Sequence, residues 1–130
     1  MILIVGGAAS GKKTYVHTLG YAPEQIAEGV IDDRPVVCDV QEIAAQTLDS
    51  LGDDAPTAVV PEFVDELVEK LATKEVVTCD ELGSGVIPLT ARDRKLREAV
   101  GALTSQLARR ADTVIRMTCG LPLVIKGGAR

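Results

Sequence analysis

The sequence predicts an α/β fold in which a mostly parallel β-sheet is covered by helices. A short apolar strand opens the chain and leads into a glycine-rich loop that is followed by lysine. Further short apolar runs alternate with stretches in which apolar residues recur at helical spacing. Strands that alternate with helices in this way usually pair in parallel, because each helix carries the chain back across the sheet.

The first element predicts a phosphate-binding loop. Ile2–Val5 forms the strand, and the sequence GGAASGK follows it with the spacing G-x-x-x-x-G-K. Small residues let backbone N–H groups surround an anion, the next helix directs its positive end at that anion, and the lysine adds a full charge. This context is typical of P-loop NTPases, so the fold is predicted to be P-loop NTPase-like. The predicted nucleotide-binding and phosphate-binding residues are Gly6, Gly7, Ala8, Ala9, Ser10, Gly11, Lys12, Lys13 and Thr14.

Lys13 occupies the position that normally carries a Ser or Thr hydroxyl for Mg²⁺. Thr14 comes one residue late, and a helix turns by about 100° per residue. Its hydroxyl is therefore not expected to replace the missing one, and we expect Mg²⁺ binding to be weakened.

The remaining elements follow in order along the chain. We expect a helix over Lys12–Leu19, one helical turn at Pro23–Ala27, and a strand over Pro35–Asp39. Helices over Val40–Leu51 and from Pro61 to about Ala72 then lead to a strand at Glu75–Cys79. The longest helix is predicted at Thr90–Ala111 and a strand at Thr113–Thr118. After a turn, Leu123–Lys126 is expected to return as an antiparallel edge strand, where proline is tolerated.

Acidic residues follow two of the predicted strands. Asp39 has two open interpretations: it holds Mg²⁺ near the phosphates, or it is the N-cap of the next helix. With Lys12, it is the candidate catalytic residue. Asp80 and Glu81 precede Gly83 and Gly85 in a loop at the strand end where α/β sheets bind ligands, so these four are candidates for a substrate loop.

His17 and the cysteines give weaker signals. His17 lies about 140° around the helix from Lys12, so we expect it to face solvent or packing rather than the phosphate. The three cysteines, Cys38, Cys79 and Cys119, form no C-x-x-C motif and are expected to be reduced thiols rather than metal ligands.

The composition is that of an ordinary globular chain, with 46% hydrophobic and 25% charged residues among 130. This length suits one domain, residues 1–130, and the aromatic content of 2% requires an aliphatic core. The net charge of −5, without a basic block, argues against nucleic acid or an anionic membrane as a partner. No apolar run approaches the length of a membrane span and no signal-peptide pattern is present, so we expect a cytoplasmic location.

Two distant segments, GGAASGKK and DELGSGVIP, occur together with a long helix and a final ADTVIRMTCGLPLVIK. Together they resemble the adenosylcobinamide kinase / adenosylcobinamide-phosphate guanylyltransferase family of cobalamin biosynthesis. In that family a Gly-Gly-Ala-Arg-Ser-Gly-Lys-Ser loop is joined to Asn-Glu-Val-Gly-x-Gly-x-x-Pro and Arg-x-Phe-Arg-Asp-x-x-Gly segments, then to Ala-Asp-x-Val and Gly-x-Pro-x-x-x-Lys. The matching positions here are Glu81, Gly83, Gly85, Pro88, Arg94, Arg97, Gly101, Ala111, Asp112, Val114, Gly120, Pro122 and Lys126. Asp39 matches an acid that ends a middle strand of the family.

The resemblance implies a P-loop sheet fold, GTP or ATP as the bound nucleotide, and a corrinoid (adenosylcobinamide) as substrate. It implies two reactions: phosphorylation of the aminopropanol hydroxyl of adenosylcobinamide, and transfer of GMP onto that phosphate through a guanylylated histidine. It also implies a homo-oligomer, a trimer in some members.

The chain departs from the family pattern at residues that carry chemistry. The family's histidine lies on a segment between the first helix and the acid-ending strand, and here only about twenty residues separate Thr14 from Pro35. By position, His17 is not that histidine, so guanylyl transfer lacks its covalent carrier. Lys13 replaces the Mg²⁺-binding serine and Asp80 replaces an asparagine. Two hypotheses follow: a compact homologue that keeps at most phosphoryl transfer, or a non-catalytic nucleotide-binding or assembly module.

Overall fold

The structure, a computed structural model, describes residues 1–52, 59–82 and 90–127 of the chain. Its N-terminal part contains β1 (Ile2–Gly6), α1 (Lys12–Thr18), a 3-10 turn (Pro23–Gln25), β2 (Ile26–Glu28), β3 (Val36–Cys38) and α2 (Val40–Leu51). Its C-terminal part contains α3 (Val59–Leu71), β4 (Val76–Asp80), α4 (Ala91–Arg110), β5 (Thr113–Thr118) and β6 (Leu121–Lys126).

The strands form one sheet in the order β2-β3-β4-β1-β5-β6. Every neighbouring pair is parallel except β5–β6, which is antiparallel. The predicted α/β fold with a mostly parallel sheet and an antiparallel C-terminal edge strand is therefore confirmed. Strand β1 lies between β4 and β5, so the glycine-rich loop leaves the middle of the sheet.

One element was predicted wrongly. The turn expected at Pro23–Ala27 ends at Gln25, and Ile26–Glu28 continues as edge strand β2, paired with β3. Only Ile26 and Ala27 of β2 are buried, so the strand is too short to show the alternation that indicates a strand.

Helices cover both faces of the sheet because the strand residues alternate between two apolar clusters. Leu3, Val37 and Val77 pack with the apolar stripes of α2, α3 and α4. Ile4 and Ile115 point the other way and pack with Val16 of α1. Each face therefore has its own aliphatic core, as the near absence of aromatic residues requires.

Strand β6 forms an open edge of the sheet. A two-residue turn at Cys119 and Gly120, with φ of 50° and 75°, reverses the chain after β5. Positive φ at both positions is typical of the type I′ turn that suits a β-hairpin. Leu121, which pairs with Thr118, and Leu123 are 70% and 61% exposed, so β6 carries apolar side chains at its surface.

Among the described residues, no helix combines the length and apolar character that a membrane crossing needs.

Candidate functional site

A cavity of about 460 Å³ lies at the ends of β1, β3 and β4. Its position follows from the strand order, because parallel strands end at the same edge of a sheet. Seven of its lining residues belong to the predicted phosphate loop: Ala8, Ala9, Ser10, Gly11, Lys12, Lys13 and Thr14. The rest of the wall consists of Cys38, Asp39, Gln41, Glu42, Thr78 and Asp80.

Lys12 is the most deeply buried cation of the cavity, with 6% of its surface exposed. Its Nζ donates hydrogen bonds to the carbonyl oxygens of Gly7 at 2.7 Å and Gly6 at 3.3 Å, and lies 3.4 Å from Oγ of Ser10. It also forms an ion pair of 2.7 Å with Oδ1 of Asp80. The lysine is therefore folded back onto its own loop, with its charge balanced by a carboxylate.

Two glycines of the loop are required by close packing. A Cβ at Gly6 would lie 2.6 Å from Oγ of Ser10 and 2.7 Å from the carbonyl oxygen of Met117. Gly11 has a φ of +95°, and its Cβ would lie 3.1 Å from Gly120. Both positions thus exclude larger residues for reasons of geometry alone.

The hairpin turn between β5 and β6 also holds the loop. The N–H of Gly120 donates a hydrogen bond of 3.0 Å to the carbonyl oxygen of Ser10. The loop is therefore anchored from the β5 side, while Lys12 attaches it to β4 through Asp80.

Lys13 lines the cavity, and its ammonium forms an ion pair with Glu28 at the end of β2. Both side chains are about half exposed, at 55% and 47%. Thr14 also lines the cavity. The residue that replaces the metal-binding hydroxyl thus contributes a second positive charge beside the phosphate loop.

Asp39 lies in the N-cap position of α2, but its side chain accepts no capping hydrogen bond. The predicted N-cap position is therefore confirmed, but the side chain does not make the capping bond. Its φ and ψ of 61° and 50° belong to the left-handed region, which costs energy for a residue with a side chain. Its N–H donates to Oγ1 of Thr78 at 3.1 Å, and this bond holds the conformation.

Gln41 and Thr78 are two site residues that our sequence analysis missed. The buried Gln41 accepts a hydrogen bond of 3.0 Å from the N–H of Asp80, and its Nε2 lies 3.5 Å from Oδ1 of Asp39. Gln41 therefore links the two acids across the ends of β3 and β4. Two signals were available in the sequence. Thr78 is a polar residue inside the apolar strand VVTCD, and Gln41 is a polar residue in the first turn of a helix that packs on the sheet.

The four candidates for a substrate loop separate in the structure. Asp80 lies against Lys12, in register with Gly6 of the neighbouring strand, so it belongs to the cavity beside the glycine-rich loop. Glu81 faces a different partner, with Oε2 lying 3.1 Å from Nη2 of Arg116. Gly83 and Gly85 lie outside the described residues.

His17 and the cysteines do not form a reactive centre with these residues. His17 is exposed on α1, and its Nδ1 lies 3.1 Å from the carbonyl oxygen of Tyr21. Burial raises the pKa of the Cys38 thiol, and it raises the pKa of Cys79 to about 12. Cys119 is exposed, and all three cysteines are free.

The residues present fit Mg²⁺ poorly. The carboxylates at the cavity are Asp39, Glu42 and Asp80, of which Asp80 is already paired with Lys12. Lys13 occupies the sequence position of the hydroxyl ligand, so that ligand is missing, and the lysine's positive charge repels a divalent cation. Within residues 1–52, 59–82 and 90–127, no group of three or more His, Cys, Asp or Glu is placed to hold a metal ion.

Comparison with known proteins agrees with the resemblance seen in the motifs. The family model described as cobinamide kinase / cobinamide phosphate guanyltransferase matches residues 19–125. The match covers most of the chain and begins after the phosphate loop, so the loop is an independent observation. A search of curated proteins found no match.

Proposed function

The chain belongs to the cobinamide kinase / cobinamide phosphate guanyltransferase family, and from this premise we propose that it binds the phosphates of ATP or GTP in the loop cavity. We further propose that the chain retains one reaction of the family, the transfer of a phosphoryl group from the nucleotide to the hydroxyl of adenosylcobinamide. Its partners are then a nucleotide and a corrinoid, and by family resemblance a second and third copy of the chain.

The observation that supports nucleotide binding best is the position of Lys12. Its ammonium lies among carbonyl oxygens of a glycine-rich loop, at the wall of a cavity large enough for a small ligand. A buried lysine adjoining an open cavity can turn from its carbonyl partners to an incoming phosphate. Lys13, whose partner Glu28 is half exposed, is a second cation available to the same anion.

Guanylyl transfer through histidine is not part of the proposal. That reaction needs an imidazole within reach of the nucleotide's α-phosphate. His17 is absent from the lining of the phosphate cavity, and its ring nitrogen Nδ1 lies beside the carbonyl of Tyr21.

A non-catalytic nucleotide-binding module is the second candidate, and one observation favours it. Both lysines of the loop are paired with carboxylates, Lys12 with Asp80 and Lys13 with Glu28, and the metal-binding hydroxyl is missing. Phosphoryl transfer depends on positive charge and metal held at the phosphates, so this arrangement supports binding better than turnover.

One experiment separates the two candidates. The protein is titrated calorimetrically with ATP and GTP, with and without Mg²⁺, and is then incubated with adenosylcobinamide while products are followed by mass spectrometry. Phosphorylated cobinamide supports the kinase, and tight binding without product supports the module. Absence of nucleotide binding contradicts both, and a GMP–histidine adduct would show that the exclusion of His17 is wrong.

Lys12→Ala and Lys70→Ala form a matched pair for this experiment. Lys12 lies in the cavity, whereas Lys70 is an exposed residue near the end of α3. We expect Lys12→Ala to weaken nucleotide binding by about a hundredfold or more, because a charge-assisted contact to phosphate is lost. Lys70→Ala should bind as the wild type does.

A further inference from the structure

A second cavity, of about 410 Å³, has Asp80 in its wall but none of the residues of the glycine-rich loop. It is bounded by α4 and by the face of the sheet that α4 covers. Aliphatic side chains form most of its wall, among them Leu3, Val100, Val114 and Ile125. Its charged groups are Asp80, Glu81 and Arg97. A cavity of this size with an apolar wall and few polar groups is typical of a small-molecule site.

Gly101 is an exposed residue of α4 that borders the cavity. It lies in the middle of α4 and lines this cavity. At such a position glycine destabilises a helix relative to alanine. Apart from its two chain neighbours and the adjacent backbone of α4, a Cβ added at Gly101 would meet no described atom within 4 Å, and its φ is not positive. Neither backbone conformation nor packing within the described chain explains this glycine. A side chain at this position would therefore extend into the open space that borders the cavity.

Arg97 gives the cavity its charge. The two acids are already engaged, because Asp80 pairs with Lys12 and Glu81 pairs with Arg116. Arg97 is half-buried and forms no ion pair or hydrogen bond with any residue in the described part of the chain. A half-buried guanidinium without a counter-charge favours an anion, and it accepts planar or tetrahedral oxyanions with several N–H donors.

We propose that this cavity binds a small anionic amphiphile, with an aliphatic body against the apolar wall and an oxyanion on Arg97. Phosphate monoesters and carboxylates share this chemistry. The site is separate from the phosphate loop, and neither its argument nor its test involves a nucleotide. Failure of the proposed nucleotide binding would therefore leave this proposal standing, and the reverse also holds.

Octyl phosphate, octanoate and octanol are suitable probes, each titrated into the full chain below its micelle-forming concentration and followed by calorimetry. We expect octyl phosphate and octanoate to bind at least about fivefold more tightly than octanol, because only they pair with Arg97. Arg97→Gln should abolish this preference, while Arg97→Lys should retain part of it. The ratio of the affinities for octyl phosphate and octanoate shows whether the site prefers a phosphate or a carboxylate.

Gly101→Leu tests the cavity itself, with Ala102→Leu as the matched control. Ala102 is exposed on the same helix and does not line the cavity. Leucine at position 101 fills the space without backbone strain and favours the helix, so the variant should fold with a thermal midpoint at or above that of the wild type. It should weaken binding of all three probes by about tenfold or more, and Ala102→Leu should leave binding unchanged.

Three results would overturn the proposal. The first is that no probe binds at millimolar concentration. The second is equal binding of octyl phosphate to the wild type and to Gly101→Leu. The third is a change of sedimentation mass in Gly101→Leu without a change in probe binding, which would make the cavity a contact between copies of the chain.

Discussion

Oδ1 of Asp80 and the carbonyl oxygen of Gly7 both lie 2.7 Å from Nζ of Lys12. The lysine that we propose binds phosphate is thus held by a carboxylate and by its own loop. The side chains of Lys12 and Asp80 are 7% and 21% exposed, so solvent screens the pair only weakly. An anion that enters the cavity has to compete with Asp80 for the ammonium.

Asp80→Asn is expected to raise the affinity for pyrophosphate by roughly fivefold to tenfold, since about 1 kcal/mol of competing ion pairing is removed. The same change should lower the free energy of unfolding by about 1–3 kcal/mol, because the nearly buried Lys12 loses its counter-charge. Calorimetry measures the first effect and urea unfolding the second. Glu81→Gln is the control, since Glu81 follows Asp80 but pairs with Arg116. Unchanged or weaker pyrophosphate binding by Asp80→Asn would contradict the competition.

Lys13→Ser is expected to make nucleotide binding depend on Mg²⁺. The serine restores an oxygen ligand and removes a positive charge, so affinity without metal should fall by about tenfold and Mg²⁺ should restore it. Wild-type affinity should change little with Mg²⁺. Titration of ATP in the presence of EDTA or Mg²⁺ measures both. Equal or tighter binding by Lys13→Ser, with no change in metal dependence, would refute the role of Lys13.

Glu28→Gln serves as the companion to Lys13→Ser. It removes the partner of Lys13 at the end of β2 while leaving the lysine in place. Because the pair is about half exposed, only a small gain in ATP affinity is expected, of about twofold to threefold. A loss of affinity would mean that Glu28 orients Lys13 rather than competing for it.

Thiol labelling should distinguish the three cysteines. Cys38 and Cys79 are buried, and burial holds the pKa of both thiols above the ordinary value, so neither is a thiolate near neutral pH. Cys119 is exposed in the turn between β5 and β6. Iodoacetamide at pH 8 should therefore add one label to the native chain, and mass spectrometry should place it on Cys119.

Two variants of the labelling experiment check this assignment. Cys119→Ser should take up no label when folded, and in urea the wild type should take up three because all its cysteines are free. Rapid labelling of Cys38 or Cys79 in the native chain would contradict the burial of the strand ends.

Acid should weaken the fold partly through Asp32. Hydrogen bonds from the Arg34 guanidinium lower the pKa of Asp32 from 3.8 to about 2. A pKa that is lower in the folded chain contributes stability above the unfolded value, and this contribution is lost as the pH falls from about 4 to about 2. The urea midpoint should therefore fall over this interval, and it should fall less in Asp32→Asn.

Asp33→Asn is the control for the acid experiment, because it removes a neighbouring carboxylate and leaves the bonds between Asp32 and Arg34 intact. A pH profile of Asp32→Asn that is identical to that of the wild type would show that this pair does not stabilise the folded chain.

Local patterns in the sequence were sufficient to predict much of the fold. A loop joins β1 to α1 where consecutive small residues predict one, and the stripe Val64, Leu67, Val68 and Leu71 is buried throughout, as its helical spacing predicts. Thr90 also begins α4 as predicted, with Oγ1 accepting a hydrogen bond of 3.0 Å from the N–H of Asp93. In each case the residues that interact are neighbours in the chain.

Contacts between distant segments could not be predicted in the same way. Asp80 reaches Lys12 only because β4 pairs directly with β1, and strand order depends on how whole helices pack. Asp39 lies at the N-cap of α2 as one interpretation predicted, but its left-handed conformation and its contact with Thr78 of the neighbouring strand could not be predicted from α2 alone. Short strand β2 was missed because its pairing with β3, rather than its own sequence, defines it.

Pro122 limits how a further strand can pair with β6 at the open edge of the sheet. Thr118 and Leu121 pair directly beside the turn, and Met117 and Pro122 form the next pair of the ladder. Since paired positions alternate in hydrogen bonding, the nitrogen of Pro122 points away from β5, towards the free edge, and it has no hydrogen to donate. A further strand would therefore find a gap in its ladder there. Continuation of the sheet from β6 into a strand of another chain is therefore disfavoured, although Leu121 and Leu123 leave apolar side chains exposed on the same strand.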